Sequence, residues 1–387
     1  MSAPCPACGG PAVRDVFACA PLPVNVGMFH ETREAALAAP RGEVTLAWCS
    51  SCDFVHNRRF DPDGSIFEPG YEVALHHSQT FRDFITGVAD GLIERFDLQG
   101  KRVLEIGCGD AYFLRLLAEK GGNDCTGIDP TVREEGDMPV ERGRVRLVRD
   151  MFGPAHGSLE ANFVCSLSVF EDIPRPATFL EALRLIAARG DAPVYLEVFN
   201  AWRAFEAREV WSVHYEQCNY FGLGSLHAVL EANGFRIERS GTCYAGDQYL
   251  FAEMRAGEAV PAPGDGAREA PDTLRGFADA FEQRRASWDA RLSEWHARGE
   301  RVVLWGTGGK GITFLNSVPA ARHIEFVAEI NPDKQGRYVP GTGQRIVAPE
   351  ALAQIRPQHV VITNALYRDE MEATARALGV DARFTVA

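Results

Sequence analysis

The middle of the chain alternates two hydrophobic patterns. Compact apolar runs have the length of buried strands, and segments with apolar residues at helical spacing have the length of amphipathic helices. Strands and helices in alternation predict a parallel sheet with helices on both faces. The predicted strands are 101–107, 124–129 and 161–169, and the predicted helices are 112–121 and 176–190.

The last third of the chain repeats this pattern on a smaller scale. A long amphipathic helix is predicted over 274–299, and the strand-then-helix pattern returns from 301 to 365. The segment 255–273 between the two units is polar and rich in Pro, Gly and Ala, which predicts a linker or long loop. We therefore expect a second, smaller α/β unit after the linker.

The first 70 residues follow neither pattern. They are rich in Cys, Pro and turn residues, with short strands such as 43–49. Because 387 residues exceed one ordinary core, the chain is predicted to form several domains. Their expected boundaries are 1–70, 71–257 and 258–387.

Composition and charge exclude several classes of protein. The chain has 46% apolar and 24% charged residues, as globular proteins do, and its net charge of -13 disfavours nucleic-acid partners. No apolar run approaches the roughly 20 residues of a membrane span. The N-terminus lacks the regions of a secretory signal, which predicts a cytoplasmic protein. Its ten cysteines are then expected as thiols or metal ligands.

Two CxxC pairs stand about forty residues apart in the N-terminal part. The first pair is Cys5 and Cys8, and the second pair is Cys49 and Cys52. Four thiolates suit tetrahedral zinc, and each pair can supply two ligands from one tight turn. Neither pair follows a strand and opens a helix, so a redox role is disfavoured. Four sulfur ligands leave no open position, which predicts a structural zinc site that helps a small domain to fold.

A glycine-rich loop lies between the first predicted strand and its helix. Glu105, Gly107 and Gly109 form an E-x-G-x-G pattern, and the glycines let the backbone turn sharply beside a ligand at the carboxyl end of the sheet. Asp129 ends the next strand, where its carboxylate can accept hydrogen bonds from both hydroxyls of a ribose. With its acidic first residue, the pattern resembles class I S-adenosylmethionine (SAM) methyltransferases rather than NAD enzymes.

The resemblance implies further cofactor contacts. Asp150, Met151 and Phe152 fall where such proteins hold the adenine, and Ser168, at the end of the fourth strand, falls near the methionine moiety. A Rossmann-like core without a cofactor is the alternative.

A second glycine loop follows the first predicted strand of the C-terminal unit. Gly306, Gly308 and Gly311 form a GxGxxG pattern that leads into a helix, which is typical of a phosphate-bearing ligand at a helix N-terminus. After the next strand, where a ribose-binding acid would be sought, the chain offers Asn331, Asp333 and Lys334. NAD, a nucleotide-linked substrate and a purely structural turn all remain open.

These pieces, in this order, resemble the three-domain sugar C-methyltransferases that act on nucleotide-linked 4-keto deoxysugars. The resemblance covers nearly the whole chain, and it implies a SAM domain between a zinc-binding domain and a Rossmann-like C-terminal domain, with the acceptor in a cleft between them. It depends on the two CxxC pairs, the SAM loop, and the sequences CDFVHNRRFDP, YEVALHHSQTF, YEQCNYF and GTGGKG…NPDKQGRYVPGT…ITNALYRDEM.

One motif departs from the pattern of that family. Its members usually carry Tyr-x-Glu-His-x-x-Tyr-Phe, in which the Glu orients a His that removes the proton beside the ketone. This chain keeps Glu216, Tyr220 and Phe221, but Gln217 replaces the His and His214 replaces the Tyr. Glutamine cannot take a proton at any useful pH.

Two hypotheses account for the departure. In the first, His214 oriented by Glu216 is the base, while Asp172 and Tyr71 hold the keto oxygen or relay protons. In the second, the acceptor is a hydroxyl, an amine or another carbon acid that needs less activation. The residues expected to contact the acceptor are His76, His77, Gln217, Tyr220, Gly306, Gly308, Lys310 and Lys334.

The leading interpretation is a SAM-dependent C-methyltransferase with structural zinc. It would act on a small molecule as a monomer or homodimer. The alternatives are O- or N-methylation of another small molecule, and a non-catalytic binding protein that keeps the methyltransferase fold. A hydride-transfer enzyme would leave the SAM loop and the CxxC pairs unexplained.

Overall fold

The computed structural model describes residues 4–64, 67–260 and 270–387. The strands in these ranges are β1 (Val13–Pro23), β2 (Arg41–Cys49), β3 (Val55–Asn57), β4 (Arg102–Ile106), β5 (Asp124–Ile128), β6 (Gly136–Met138), β7 (Arg144–Val148), β8 (Phe163–Leu167), β9 (Val194–Phe199), β10 (Asn219–Tyr220), β11 (Phe235–Cys243), β12 (Tyr249–Ala256), β13 (Val302–Trp305), β14 (Phe326–Ala328), β15 (Arg345–Val347), β16 (His359–Ile362) and β17 (Arg383–Val386). The α-helices there are α1 (Arg33–Leu37), α2 (Gln79–Arg95), α3 (Tyr112–Gly121), α4 (Pro176–Gly190), α5 (Ala201–Glu206), α6 (Leu223–Ala232), α7 (Asp272–Ala297), α8 (Gly309–Ser317), α9 (Leu352–Ile355) and α10 (Arg368–Ala377).

The central sheet has the order β11-β12-β9-β8-β4-β5-β7-β6 in the described residues. Strands β9, β8, β4, β5 and β7 run parallel, and β11, β12 and β6 add antiparallel pairs at the two edges. The three predicted strands and two predicted helices of this unit are confirmed as β4, β5, β8, α3 and α4. The α/β class is therefore confirmed.

The C-terminal sheet has the order β15-β14-β13-β16-β17, and all its described pairs are parallel. This is the predicted second α/β unit. In each of these two sheets the first strand lies in the interior, and the chain adds strands first on one side of it and then on the other. The strand order therefore reverses between β4 and β8 and between β13 and β16. Ligands of open α/β sheets bind in the crevice that such a reversal leaves at the carboxyl ends of the strands.

The N-terminal sheet has the order β1-β2-β3-β10. Its last strand comes from the middle of the chain, where Asn219 pairs with His56 and Tyr220 with Val55. A segment of the predicted 71–257 domain thus completes the sheet of the predicted 1–70 domain. The proposed domain boundaries stay a prediction.

The predicted long helix is confirmed as α7, which has 26 residues. Its apolar face packs on the N-terminal sheet, where Phe17 of β1 makes edge contacts with Phe277 and Phe281 at ring-centroid distances of 5.5 and 5.0 Å. Residues 261–269 of the predicted linker lie outside the described residues. No helix within the described ranges has the length and apolar content needed to cross a membrane.

Candidate active site

The carboxyl ends of β4, β5 and β8 open into a cavity of about 760 Å³. This cavity lies where the order of the central sheet reverses, which is the expected place for a ligand. We call it the main cavity. Four segments line most of it, namely 71–77, 105–113, 128–139 and 167–174.

The first glycine loop forms one wall of the main cavity. Gly107 has φ of +75°, and a Cβ atom there would lie 2.1 Å from Cγ2 of Val169, so a larger residue fits neither the backbone nor the space. The backbone N–H of Gly109 donates to Oδ2 of Asp129 at 2.9 Å. Thr131 donates to Oδ1 of the same carboxylate from its backbone N–H and its hydroxyl, at 2.7 and 2.6 Å. The loop and the next strand are thereby fixed to each other.

Glu105 has a buried carboxylate oxygen that the described part of the protein leaves without a hydrogen-bond partner. Its side chain lines the main cavity, the residue is 3% exposed, and Oε2 is buried with no hydrogen-bond partner among the described residues. Burial, followed by the charges of Asp110 and Asp129, raises its pKa well above the usual value. An amine or hydroxyl donor on a bound ligand would satisfy this oxygen, and SAM carries both.

Most of the remaining predicted cofactor residues also line the main cavity. Met151, Phe152 and Ser168 do so, and Ser168 has the left-handed φ of 53° that is common at functional sites. Asp150 does not line the cavity. Its Oδ1 accepts a hydrogen bond from the backbone N–H of Met151, and Oδ2 lies 3.5 Å from Nε2 of His156.

Tyr71 and Asp172 bring reactive side chains to the same cavity. The Tyr71 hydroxyl donates to Oε1 of Glu216 at 2.8 Å, and the backbone N–H of Val26 donates to Oε2 at 2.8 Å. Asp172 lies on a short 3-10 turn just beyond β8, and among the described residues its carboxylate accepts no hydrogen bond. A held phenol and a free carboxylate therefore share one cavity with the glycine loop.

Burial dominates the electrostatics of this group. It raises the pKa of Glu216 to about 7 and the pKa of Asp172 well above its usual value, and the charges of Glu171 and Glu216 raise the latter further. Burial, then the charges of Glu216 and Asp172, raise the pKa of the Tyr71 phenol as well. The charge of Glu216 acts on both other groups, so a change in its protonation alters the pKa of Tyr71 and of Asp172.

Two known families match the sequence over these parts of the fold. The family described as a methyltransferase domain matches residues 78–240, and the family described as the C-methyltransferase C-terminal domain matches residues 265–387. The chain is a SAM-dependent C-methyltransferase. The resemblance of the sequence to the sugar C-methyltransferase family is thereby confirmed.

The chain is also similar to individual methyltransferases. The enzyme is 25% identical over 303 residues to C-methyltransferase NovU of Streptomyces niveus, covering 73% of this chain and 71% of NovU. It is 27% identical over 164 residues to a ubiquinone biosynthesis O-methyltransferase of Aeromonas salmonicida, covering 41% of this chain and 63% of that protein. Among solved structures, magnesium protoporphyrin IX methyltransferase (ChlM) of Synechocystis PCC 6803 with bound SAH matches with a TM-score of 0.37 and 15% identity, covering 48% of this chain and 89% of that chain.

The expected pairing of His214 with Glu216 is absent from the enzyme. His214 does not line the main cavity. Its Nδ1 lies 2.9 Å from the hydroxyl of Thr313 on α8, and burial together with the nearby positive charge of Lys310 lowers its pKa to about 4. The turn at 214–216 directs the two side chains to different neighbours, so the structure corrects the idea that Glu216 orients this imidazole.

Gln217 and Tyr220 also lie away from the main cavity. Gln217 is 6% exposed and its Nε2 donates to the backbone oxygen of Asn219 over 3.4 Å. The Tyr220 hydroxyl donates to the backbone oxygen of His214 at 2.9 Å and accepts from its N–H at 3.2 Å. The structure gives both side chains partners within the protein, where the sequence predicted contacts with an acceptor.

His76 and His77 do line the main cavity, but on the side of the glycine loop. The His76 ring stacks on Tyr112 at a centroid distance of 4.3 Å, and its Nδ1 lies 3.4 Å from Oδ2 of Asp110. His76 therefore lies against the residues that begin α3. This location is closer to a cofactor contact than to the predicted acceptor contact.

Arg133 and Glu72, at the mouth of the main cavity, were missed by the sequence analysis. Arg133 forms ion pairs with Oε2 of Glu72 at 3.2 Å and with Oδ2 of Asp333 at 3.0 Å, and all three line the cavity. Asn331 adds a hydrogen bond from Nδ2 to Oε1 of Glu72 at 3.0 Å. No local pattern signals these contacts, because the partners come from distant parts of the chain.

The second glycine loop is fixed to the next strand by an acid, as the first loop is. The N–H and hydroxyl of Thr307 donate to Oε2 of Glu329 at 2.9 and 2.5 Å. Glu329 directly follows β14, which is the position that Asp129 has after β5, so the acid sought further along the sequence was present here. Gly306, Gly308 and Lys334 do not line the main cavity, and Lys334 Nζ lies 5.2 Å from the centre of the Phe29 ring.

The four CxxC cysteines come together at the end of the N-terminal sheet. Their sulfur atoms all lie within 4.8 Å of one another, with Cys5 to Cys52 at 3.9 Å and Cys8 to Cys49 at 3.7 Å. Four sulfurs around zinc at about 2.3 Å would be separated by about 3.8 Å in a regular tetrahedron. The sulfur geometry therefore fits this metal.

Proposed function

We propose that the enzyme methylates the carbon beside the ketone of a nucleotide-linked 4-keto deoxysugar. The observation that carries the proposal is a single cavity lined by the SAM loop, the Asp172 carboxylate and the Tyr71 phenol. The resemblance of the sequence to sugar C-methyltransferases and the match to NovU, a C-methyltransferase, support this acceptor class. Bound SAM supplies an electrophilic methyl group.

Asp172 is the base in this proposal. It takes the role of the family's histidine, which is replaced by Gln217 in this chain. Its carboxylate lines the cavity and is free of hydrogen bonds from the described residues, so its lone pairs can reach a substrate proton. Burial raises its pKa, which makes the ionised carboxylate a stronger base. When Asp172 takes the proton beside the ketone, the bonding pair becomes an enolate. The enolate carbon would then receive the methyl group as its bond to the sulfur of SAM breaks, with S-adenosylhomocysteine as the leaving group.

Tyr71 is the donor to the enolate oxygen. With a pKa of about 7, Glu216 is close to half protonated at neutral pH. A protonated Glu216 can donate to the phenol oxygen and so leave the phenol hydrogen for the substrate. A hydrogen bond placed where negative charge develops stabilises the transition state more than the ground state.

The CxxC cysteines form a structural zinc site in this proposal. Cys5, Cys8, Cys49 and Cys52 would supply four thiolates and leave no position for a substrate. Zinc would join the turn before β1 to the turn after β2, and so stabilise the sheet that carries Val26 towards Glu216. We place the enzyme in the cytoplasm, where thiols stay reduced, and divide it into the three predicted domains.

Transfer to oxygen or nitrogen is the second candidate. It is favoured by Gln217, which removes the base of the family motif, and by the partial match to an O-methyltransferase. Such acceptors need less activation than a carbon acid, so positioning beside the methyl group contributes most of the rate.

Mass spectrometry of reactions with SAM and a panel of nucleotide-linked 4-keto deoxysugars separates the two candidates. The sugars are first exchanged with deuterium at the carbons beside the ketone. Gain of one methyl with loss of one deuterium is the expected result. Gain of a methyl with all deuterium retained would establish transfer to oxygen or nitrogen, and no product from protein that binds SAM would exclude this acceptor class.

A further inference from the structure

A second cavity of about 350 Å³ lies at the carboxyl ends of β13 and β16. These are the neighbouring strands between which the order of the C-terminal sheet reverses. Lys310, in the first turn of α8 after β13, and Asn364, just after β16, both line it. The cavity therefore has the same place in its sheet as the main cavity has in the central sheet, although the two share no lining residue.

The charged side chains of this second cavity are unbalanced. Glu209 pairs with Lys310 Nζ at 2.6 Å and also with Arg203, so two cations share one carboxylate. The charge of Lys310 lowers the pKa of Glu209 against the effect of burial, so Glu209 remains ionised at neutral pH. Among the side chains that line the cavity in the described residues, one positive charge is left over, and the Lys310 side chain is only 15% exposed.

Unused hydrogen-bond donors accompany this charge. Trp211 lines the cavity, is 2% exposed, and has a buried Nε1–H with no acceptor among the described residues. The Asn364 side chain is held in place, because Nδ2 donates to Oε1 of Gln248 at 3.2 Å and Oδ1 accepts from the N–H of Leu366 at 3.2 Å. A wall with spare donors and excess positive charge is suited to a ligand with several negatively charged oxygens.

We propose that the second cavity binds a phosphate-bearing anion, with Lys310 and Arg203 as its cationic contacts and Trp211 and Asn364 as neutral donors. The cavity falls within the size range of small-molecule sites, and it lies at the sheet position where α/β proteins bind phosphates. The main cavity is a poor alternative place for such an anion. Arg133 is its only lining Lys or Arg among the described residues, and this side chain is already paired with Glu72 and Asp333.

Two sources could supply the anion. The first is the diphosphate of a nucleotide-linked acceptor, and this assignment rests on the proposed function. The second is a free phosphate compound that binds independently of the acceptor. The binding measurement below needs no turnover, so it can fail or succeed regardless of the reaction.

Calorimetric titration with inorganic pyrophosphate tests the site. The intact protein is expected to bind pyrophosphate, and Lys310→Met is expected to weaken binding by about 10- to 100-fold, as for the loss of one charged hydrogen bond. Glu209 keeps Arg203 as a partner in this variant, and SAM affinity should stay unchanged. The matched control is Lys120→Met, which removes an exposed lysine paired with Asp90 at 2.8 Å. Asn364→Asp, which adds a negative charge to the wall at constant size, should also weaken binding.

The two sources give different kinetics. If the acceptor supplies the diphosphate, uridine diphosphate competes with pyrophosphate and Lys310→Met raises the KM of the acceptor with little change in kcat. If the anion is separate, Lys310→Met weakens pyrophosphate binding while the KM of the acceptor is unchanged. The proposal would be overturned if the intact protein did not bind pyrophosphate, or if Lys310→Met and Asn364→Asp bound it as tightly as the intact protein does.

Discussion

Buried carboxyl groups dominate the chemistry at the scale of single residues. Glu171, Glu197 and Glu216 are each at most 6% exposed, and burial raises the pKa of each to about 7. The phenol of Tyr195 donates to Oε2 of Glu197 at 3.1 Å, whereas Oε2 of Glu171 has no partner among the described residues. These groups change charge near neutral pH because their surroundings replace little of the water that they lose on folding.

The Asp172→Asn substitution tests the proposed base. The amide cannot take the substrate proton, so we expect turnover to fall by about 10² to 10⁴-fold while SAM affinity stays unchanged. Product formation followed by mass spectrometry, with SAM binding by calorimetry, checks this. The control is Glu134→Gln, an exposed carboxylate that lines the same cavity. Full activity of Asp172→Asn would remove Asp172 from the mechanism.

Glu171 should make stability depend on pH. Because burial raises its pKa from 4.5 to about 7, the unfolded chain loses its proton at a lower pH than the folded chain. The contribution of protonated Glu171 to folding stability is therefore complete below about pH 4.5, and it is lost as the pH rises towards about 7. Glu171→Gln keeps an acceptor for the N–H of Phe199 and removes this loss.

The free energy of unfolding of Glu171→Gln minus that of the wild type should rise by about 1 to 3 kcal/mol from pH 5 to pH 8. Urea denaturation at both pH values measures the difference. Glu181→Gln, at an exposed position of α4, is the control and should show no such change. Parallel pH profiles for Glu171→Gln and the wild type would contradict the expected role of burial.

At the scale of elements, the two glycine loops differ in what holds them. Asp129 receives one hydrogen bond from Gly109 and two from Thr131, and with about four lone-pair sites its carboxylate keeps some capacity for a ligand. Glu329 holds the second loop through Thr307 and has Lys334 as a counter-charge, which helps to lower its pKa. The loops differ in what they face, since Gly107 and Gly109 line the main cavity, whereas Gly306 and Gly308 line neither described cavity.

The Gly107→Ala substitution tests the shape of the first loop. Its Cβ would lie 2.1 Å from Cγ2 of Val169, so the loop must move, and we expect SAM affinity to fall by about tenfold or more. Gly100→Ala is the matched control, because Gly100 also has positive φ, of +62°, but nothing lies within 4 Å of a Cβ there. Calorimetry with SAM should separate the two variants. Equal affinities would mean that the loop accepts a side chain without moving.

At the scale of the whole molecule, the site depends on contacts between all three sheets. Glu216, just before β10, is held by the N–H of Val26 from the N-terminal part. Arg133 of the central unit bridges Glu72 and Asp333 at the cavity mouth. A disturbance in the N-terminal sheet should therefore reach the catalytic group without touching the SAM loop.

Metal removal tests this coupling. We expect the isolated protein to hold about one zinc per chain, and Cys49→Ser to lose the metal and to unfold more easily by about 2 kcal/mol or more. Turnover should fall while SAM still binds, because Glu216 loses the support of Val26. Metal analysis, thermal unfolding and calorimetry give the three readouts. Cys19→Ser, outside the sulfur cluster, is the control; unchanged metal content in Cys49→Ser would contradict the assigned site.

Local patterns in the sequence determined the elements and the first ligand loop. The strands β4, β5 and β8 and the helices α3, α4 and α7 follow from apolar periodicity, which is a property of neighbouring residues. The cysteine pairs and the Glu105–Gly109 pattern could be recognised because their members are close in the chain. The acid at Glu329 could have been found the same way, directly after its strand.

Only the tertiary structure decided which distant residues meet. Tyr71 reaches Glu216 across 145 positions, and Val26 does so across 190. The addition of β10 to the N-terminal sheet, the turn of His214 towards Thr313, and the shared carboxylate of Glu209 depend likewise on how the units pack. Periodicity gives the buried face of an element but not its neighbour, since any apolar face can pack on many others. The partners of these polar groups are therefore fixed by packing.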